Sequence, residues 1–146
     1  MQRIDEGKRF SVSEENYKDI VGVIKTILNN RKEIIFAYLH GSFLARTNFG
    51  DVDIAIYLSG VQEEKFMQYE FKLEQILESA INFPVDIRVL NNAPPSFKYN
   101  SIKKGIRLID KNINTRVDFE THTYKIYFDF LPFRQRYLKE ALELEV

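Results

Sequence analysis

Three acids and a Gly-Ser pair are the residues of this chain whose types and spacing can do chemistry. Asp51 and Asp53 stand at i and i+2 at the head of an apolar run, Asp51-Val52-Asp53-Ile54-Ala55-Ile56-Tyr57. In a strand successive side chains alternate faces, so the two carboxylates point the same way. Side by side they repel, and a fold tolerates that poorly unless a cation neutralises them. An oxygen-only donor set suits a hard cation, and Mg²⁺ typically takes one or two carboxylates together with substrate phosphates. Just upstream, Gly41-Ser42 closes a second apolar run. If a short helix begins there, its backbone N–H groups can cradle phosphates. Asp86 lies on a third apolar run, Pro84-Val85-Asp86-Ile87. With that strand beside the second, three acids can hold two ions about 3.5–4 Å apart, the arrangement for an in-line phosphoryl transfer.

The elements that must position these groups follow from periodicity. Ser11-Val12-Ser13-Glu14 offers Ser11 as an N-cap with Glu14 three residues on, a capping-box pattern. Tyr17, Ile20, Val21, Ile24, Ile27 and Leu28 then recur at helical steps up to Asn29-Asn30. Glu33 to Leu39 reads as a buried strand and Val52 to Leu58 as a second. The helix expected from about Gln62 to Ala80 buries Phe66, Phe71, Leu73, Ile76 and Leu77 and turns its charges to water. Val85 to Leu90 is the third strand, with Asp86, Arg88 and Leu90 on one face. A proline-led helix runs to about Lys104, and Ile106 to Ile109 is a short fourth strand. From about Thr115 the chain reads as helical, with Pro132 kinking or restarting it. The fold class is α/β (α+β), a small mixed sheet with flanking helices. The 146 residues form most simply one domain, with a core of about 14–112 and a C-terminal helical segment of about 115–146.

Composition narrows the function. With 45% apolar and 29% charged residues the chain is of ordinary globular type. No apolar run approaches the ~20 residues of a membrane span. The absence of cysteine excludes disulfides and thiolate metal sites and fits a cytoplasmic protein. Two distant histidines, His40 and His122, speak against a zinc centre. Charge is balanced at 21 basic and 21 acidic side chains, whereas a nucleic-acid binder shows a basic excess; no direct nucleic-acid partner is expected.

Gly41-Ser42, Asp51-Val52-Asp53 and Asp86 together resemble the polymerase-beta-type nucleotidyltransferase superfamily. The short length and the tail, from Ile102-Lys103-Lys104-Gly105-Ile106-Arg107 through Arg116-Val117-Asp118-Phe119-Glu120 to Tyr127-Phe128-Asp129-Phe130, resemble more narrowly the minimal nucleotidyltransferases (MNT). The resemblance covers roughly residues 14–140. It implies the antitoxin of a toxin–antitoxin pair that uses Mg-ATP to move AMP onto a tyrosine of a HEPN-domain ribonuclease toxin. By the same resemblance Gly41 and Ser42 hold the triphosphate, with Arg46 as a phosphate contact. Asp51 and Asp53 ligate Mg²⁺, while Asp86 completes the ion site and helps deprotonate the acceptor. Two departures stand out: Gly50 where the family often has Ser, and a Gly-Ser to Asp-x-Asp loop, residues 43–50, shorter than is common. Glycine follows a tight loop without strain, so both read as one shortened loop.

Plainer readings stand beside these. His40 ends a strand and is expected to hydrogen-bond locally. Asp110 and Asp118 are explained equally by a strand end and a helix start, and Lys103 and Lys104 by the C-terminal end of a helix. Phe119, Tyr124, Tyr127, Phe128, Phe130, Phe133 and Tyr137, with Arg134 and Arg136 among them, are either core or a partner surface. Two other functions use the same sequence: a non-catalytic antitoxin that neutralises by binding alone, and adenylyl transfer to a small-molecule hydroxyl.

Overall fold

A computed structural model describes residues 7–142, apart from the side chains at 130, 134, 137, 138 and 140–142. The sheet is built from β1 (Ile34–His40), β2 (Val52–Leu58), β3 (Val85–Val89) and β4 (Ile106–Asp110) in the order β3-β2-β1-β4. β1 runs antiparallel to both β2 and β4, and β2 runs parallel to β3. The helices are α1 (Glu14–Asn29), α2 (Phe66–Ile81), α3 (Pro95–Lys104) and α4 (Ile113–Leu142).

Alternation sorts the sheet into two faces. Val52, Ile54, Ile56, Val85, Ile87 and Val89 pack with Ile24 and Leu28 of α1 and Leu73 and Leu77 of α2. On the opposite face Phe36, Tyr38, Ala55 and Leu90 form a smaller core with Phe97 and Ile102 of α3 and Phe119 of α4. Asp53 and Asp86 belong by period to this second face, beside the smaller core.

Helix starts differ from the sequence expectation in three places. α2 begins at Phe66, after a 3-10 turn at Glu63–Lys65, rather than at about Gln62. Ser13, not Ser11, caps α1, accepting from the Asn16 N–H at 3.1 Å. Ser11 instead accepts from the Asn48 N–H at 3.2 Å and so belongs to the loop before β2. α4 begins at Ile113 because the Asn112 side chain accepts the Thr115 N–H at 3.0 Å. It runs unbroken through Pro132. The bond that proline removes falls on an exposed turn at Phe128, where water can solvate the freed carbonyl. The start of α4 is tied to the sheet by Arg116, which reaches Asp110 at 2.7 Å and Glu120 at 2.8 Å. Glu120 in turn accepts from the Tyr38 hydroxyl.

α2 departs furthest from its amphipathic reading. Phe71 and Ile76, expected inside, are 57% and 39% exposed, while Glu78 is buried. The cause is a ladder of carboxylates against the edge strand: Glu78, Glu74 and Glu70 accept from the N–H groups of Val85, Ile87 and Val89, each at 2.9 Å. Four helical residues rise about 6.0 Å and two strand residues about 6.6 Å. The two repeats therefore stay in step for three bonds. Backbone N–H groups at a sheet edge must find partners, and that demand rotates the helix about its axis.

Candidate active site

Register brings the site together. His40 pairs with Asp53 across β1 and β2, and Asp53 pairs with Asp86 across β2 and β3. One row of the sheet thus carries His40, Asp53 and Asp86, with Asp51 two residues before Asp53 on the same face. One carboxylate oxygen from each of Asp51, Asp53 and Asp86 lies within 4.8 Å of the others, and all three side chains are half-buried. Mg²⁺ holds its ligands at about 2.0–2.1 Å, so oxygens around one octahedral ion are about 2.9 Å apart when adjacent and about 4.2 Å when opposite. The cluster is of a size that can close on such an ion, and its donors are all oxygen. Among the described residues this is the one group of acids and histidines with that spacing.

The turn after β1 is shaped around Asp53. Gly41 has φ 81° and ψ −164°, a region populated essentially by glycine. A Cβ there would stand 2.1 Å from Asp53 Oδ2. The backbone of the Gly-Ser turn is therefore in contact with the acid cluster. Gly41 and Ser42 are exposed, and residues Ser42–Ala45 form one 3-10 turn. Phe43 at its centre is buried against Phe49 and Tyr17.

The shortened loop is braced from the N-terminal side. Phe10 and Phe49 exchange backbone bonds at 2.8 and 3.0 Å, and the Val12 N–H donates to the Arg46 carbonyl at 2.9 Å. The Arg9 guanidinium donates to both the side-chain oxygen and the backbone carbonyl of Asn48. Residues 7–12 thus act as a strap across the loop that delivers Asp51. Arg46 turns its guanidinium to Glu14, at 3.8 Å, with both side chains well exposed. A phosphate contact from Arg46 requires leaving that pair, and an exposed pair of this kind is worth about 0–1 kcal/mol.

His40 packs edge-on against Phe97, ring centroids 5.5 Å apart, and its Nε2 is buried without a hydrogen-bond partner. The local hydrogen bond expected of it from sequence is absent at that atom. Burial pushes its pKa below the ordinary histidine value, against the opposing pull of Asp86 and Asp51. Asp110 is held by Arg116, away from the triad. His122 is exposed on α4.

Residues 23–114 match the family described as polymerase beta, nucleotidyltransferase. The chain belongs to the polymerase beta nucleotidyltransferase family. Solved structures share its fold. A chain of the tri-AMPylated Shewanella oneidensis HEPN toxin in complex with MNT antitoxin aligns with TM-score 0.67 and 21% identity, over 87% of this chain and 98% of that one. A chain of the toxin–antitoxin MntA-HpeT, in a variant with two aspartates two positions apart changed to glutamate, aligns with TM-score 0.69 and 21% identity over 84% and 98%. A toxin–antitoxin with AMP-PNP aligns with TM-score 0.67 and 22% identity over 89% and 99%. No curated protein matches the chain.

In this nucleotidyltransferase the three acids and the Gly-Ser turn named from sequence meet at one point, and Arg46 is paired with Glu14. Sequence reasoning passed over the N-terminal strap and Phe97, the ring that touches His40. Phe10 and Val12 alternate with polar residues, a weak strand signal that marked the strap. Phe97 carried no signal beyond being an aromatic near the start of a helix. The C-terminal aromatics divide between both readings. Phe119 is packed on Phe36 and Tyr57, and Tyr127 stacks on Tyr99 at 3.9 Å. Phe128 and Phe133 are 52% and 68% exposed. The side chains of Phe130, Arg134 and Tyr137 lie outside the described residues.

Proposed function

We propose that this nucleotidyltransferase is the antitoxin of a HEPN-type toxin and transfers AMP from ATP to a tyrosine hydroxyl of that partner. The observation that carries the reading is the cluster of Asp51, Asp53 and Asp86 closed on one side by Gly41. Support for the partner comes from the structural neighbours, which include a tri-AMPylated HEPN toxin with its MNT antitoxin and a toxin–antitoxin with AMP-PNP.

Asp51, Asp53 and Asp86 would hold Mg²⁺, two ions in the full arrangement. When bound, the ions neutralise the carboxylates and stabilise the charge that develops on the entering and leaving oxygens. Gly41 and Ser42 receive the triphosphate with backbone N–H groups, and Arg46 joins them once it releases Glu14. The acceptor hydroxyl loses its proton to Asp86 as its oxygen bonds the α-phosphorus. The α-phosphorus–oxygen bond to pyrophosphate breaks, and pyrophosphate leaves with the electron pair. Catalysis of this kind is mainly positioning and electrostatic stabilisation.

The test is transfer of label from α-labelled ATP to the protein encoded beside this one, with Mg²⁺ and with EDTA. Label that appears only with Mg²⁺ and disappears in Asp53→Asn, with the variant still folded, is the expected result. Label retained in Asp53→Asn refutes the site. A tight complex without label identifies an antitoxin that acts by binding alone.

A further inference from the structure

The loop that ends in Asp51 holds two non-glycine residues in the left-handed region, Arg46 at φ 64° and Asn48 at φ 53°. Such conformations persist only where the surroundings over-determine them. Here the strap holds both residues. The Val12 N–H donates to the Arg46 carbonyl at 2.9 Å, and Ser11 Oγ accepts the Asn48 N–H at 3.2 Å. The Arg9 guanidinium donates to Asn48 Oδ1 at 3.3 Å and to the Asn48 carbonyl. Phe49 follows, buried and paired with Phe10. Beyond it the Val52 N–H donates to the Pro84 carbonyl at 2.9 Å, which fixes the start of β2. Gly50 and Asp51 span these two anchors. Gly50 has no positive φ, so its backbone suits any L residue. What a side chain there would meet is Arg9: a Cβ on Gly50 would stand 2.8 Å from Nη1 and 3.7 Å from Cζ. Gly50 is the seat of the guanidinium, one residue before Asp51.

We propose that Arg9 is a positioning residue for the metal site: seated on Gly50 and forked across Asn48, it holds Asp51 against Asp53 and Asp86 before an ion arrives. This rests on the reading of the three acids as a Mg²⁺ site and adds to it the residue that preorganises them. Carboxylates gathered without a cation repel one another. Asp53 and Asp86 lie within paired strands and cannot yield to that repulsion. Asp51 precedes β2, so the loop is where the cluster would spread. A guanidinium suits the task because its planar fork reaches two acceptors of one residue at once, which an ammonium does less well. Partners that orient a metal ligand in this way are typically worth about 10–100-fold in metal affinity.

The experiment titrates the full chain with Mn²⁺, the free ion being read by its EPR signal, and measures label transfer from α-labelled ATP across Mg²⁺ concentrations. Arg9→Ala should weaken Mn²⁺ binding about tenfold. Gly50→Ser should do the same, because its side chain displaces only the far end of a flexible arginine. The double variant should bind no more weakly than either single one, since both changes remove one interaction; independent effects would multiply to about a hundredfold. The Mg²⁺ needed for half-maximal transfer should rise by the same factor while the KM for ATP holds. Gly60→Ala, strained at a φ of 77° away from the site, should lose stability and keep the parent's Mn²⁺ affinity. Parent-like Mn²⁺ affinity in Arg9→Ala, or a multiplied loss in the double variant, overturns the proposal. A raised KM for ATP at unchanged Mn²⁺ affinity makes Arg9 a phosphate contact and overturns it as well. A parent that binds no Mn²⁺, or an Asp53→Asn that binds it as tightly, removes the metal site itself and this proposal with it.

Discussion

Gly41→Ala is the most searching single change in the site, because it alters the metal cluster without touching a carboxylate. The φ and ψ of 81° and −164° lie where an L residue is strained, by about 1–3 kcal/mol. That strain appears as lost stability in a urea titration. Separately, the new methyl would stand 2.1 Å from Asp53 Oδ2, more than an ångström inside contact distance. Asp53 must then rotate away or the turn must withdraw, and either motion spreads the three oxygens. Misplacing a reacting group by about 1 Å costs on the order of a hundredfold in rate. The assay is label transfer at saturating Mg²⁺, run beside the urea titration. Gly60→Ala is the matched control: its φ is 77°, and a Cβ there meets nothing within 4 Å. It should lose stability and keep its rate. A Gly41→Ala protein that transfers AMP at the parent rate refutes the argument, as does a Gly60→Ala protein that is equally inactive.

Two further outcomes follow from the ladder and the phenols. Glu78→Ala removes the charged acceptor of the buried Val85 N–H and should cost about 1.5–3 kcal/mol in urea unfolding; Glu78→Gln, which keeps an acceptor oxygen, should cost less. Burial and its bond to Glu33 push Tyr69 up to about 12 from an ordinary value of 10.0. The folded state therefore keeps this proton after the unfolded chain has begun to lose it. The resulting stabilisation is complete below pH 10 and is lost as pH rises through 12. Tyr69→Phe should flatten that decline, measured as unfolding free energy against pH. Burial and the bond to Glu120 raise Tyr38 in the same direction.

The acids were legible because a strand's period of two is strict, so Asp51 and Asp53 had to share a face wherever the strand lay. Asp86 was legible as a candidate, but its place opposite Asp53 depends on strand order, which no local pattern contains. Gly41 was readable as a turn; its contact with Asp53 was not, because it joins two strands. The reading failed on α2, where it assigned every charge to water. Glu70, Glu74 and Glu78 bind main-chain N–H groups, and main chain has no sequence signature. Ser11 and Ser13 are both good caps, and the choice fell to Ser13 because the loop before β2 claims Ser11. Arg46 was chosen for its charge and its loop. Its left-handed backbone, at φ 64°, and its pairing with Glu14 carried no signal in the sequence.

The glutamate ladder also bears on how the chain reaches its fold. Its three bonds join residues 7, 13 and 19 positions apart, short separations that close quickly. An unpaired strand edge is most hazardous while a protein is still assembling, when it can recruit another chain. Here the helix that shields the edge is made immediately before the strand that creates it. By the time Val89 is synthesised, all three glutamates already exist, and β3 need never wait for a distant segment to cover it. Amide exchange gives the check: Val85, Ile87 and Val89 should open together with α2, and independent opening would separate the two.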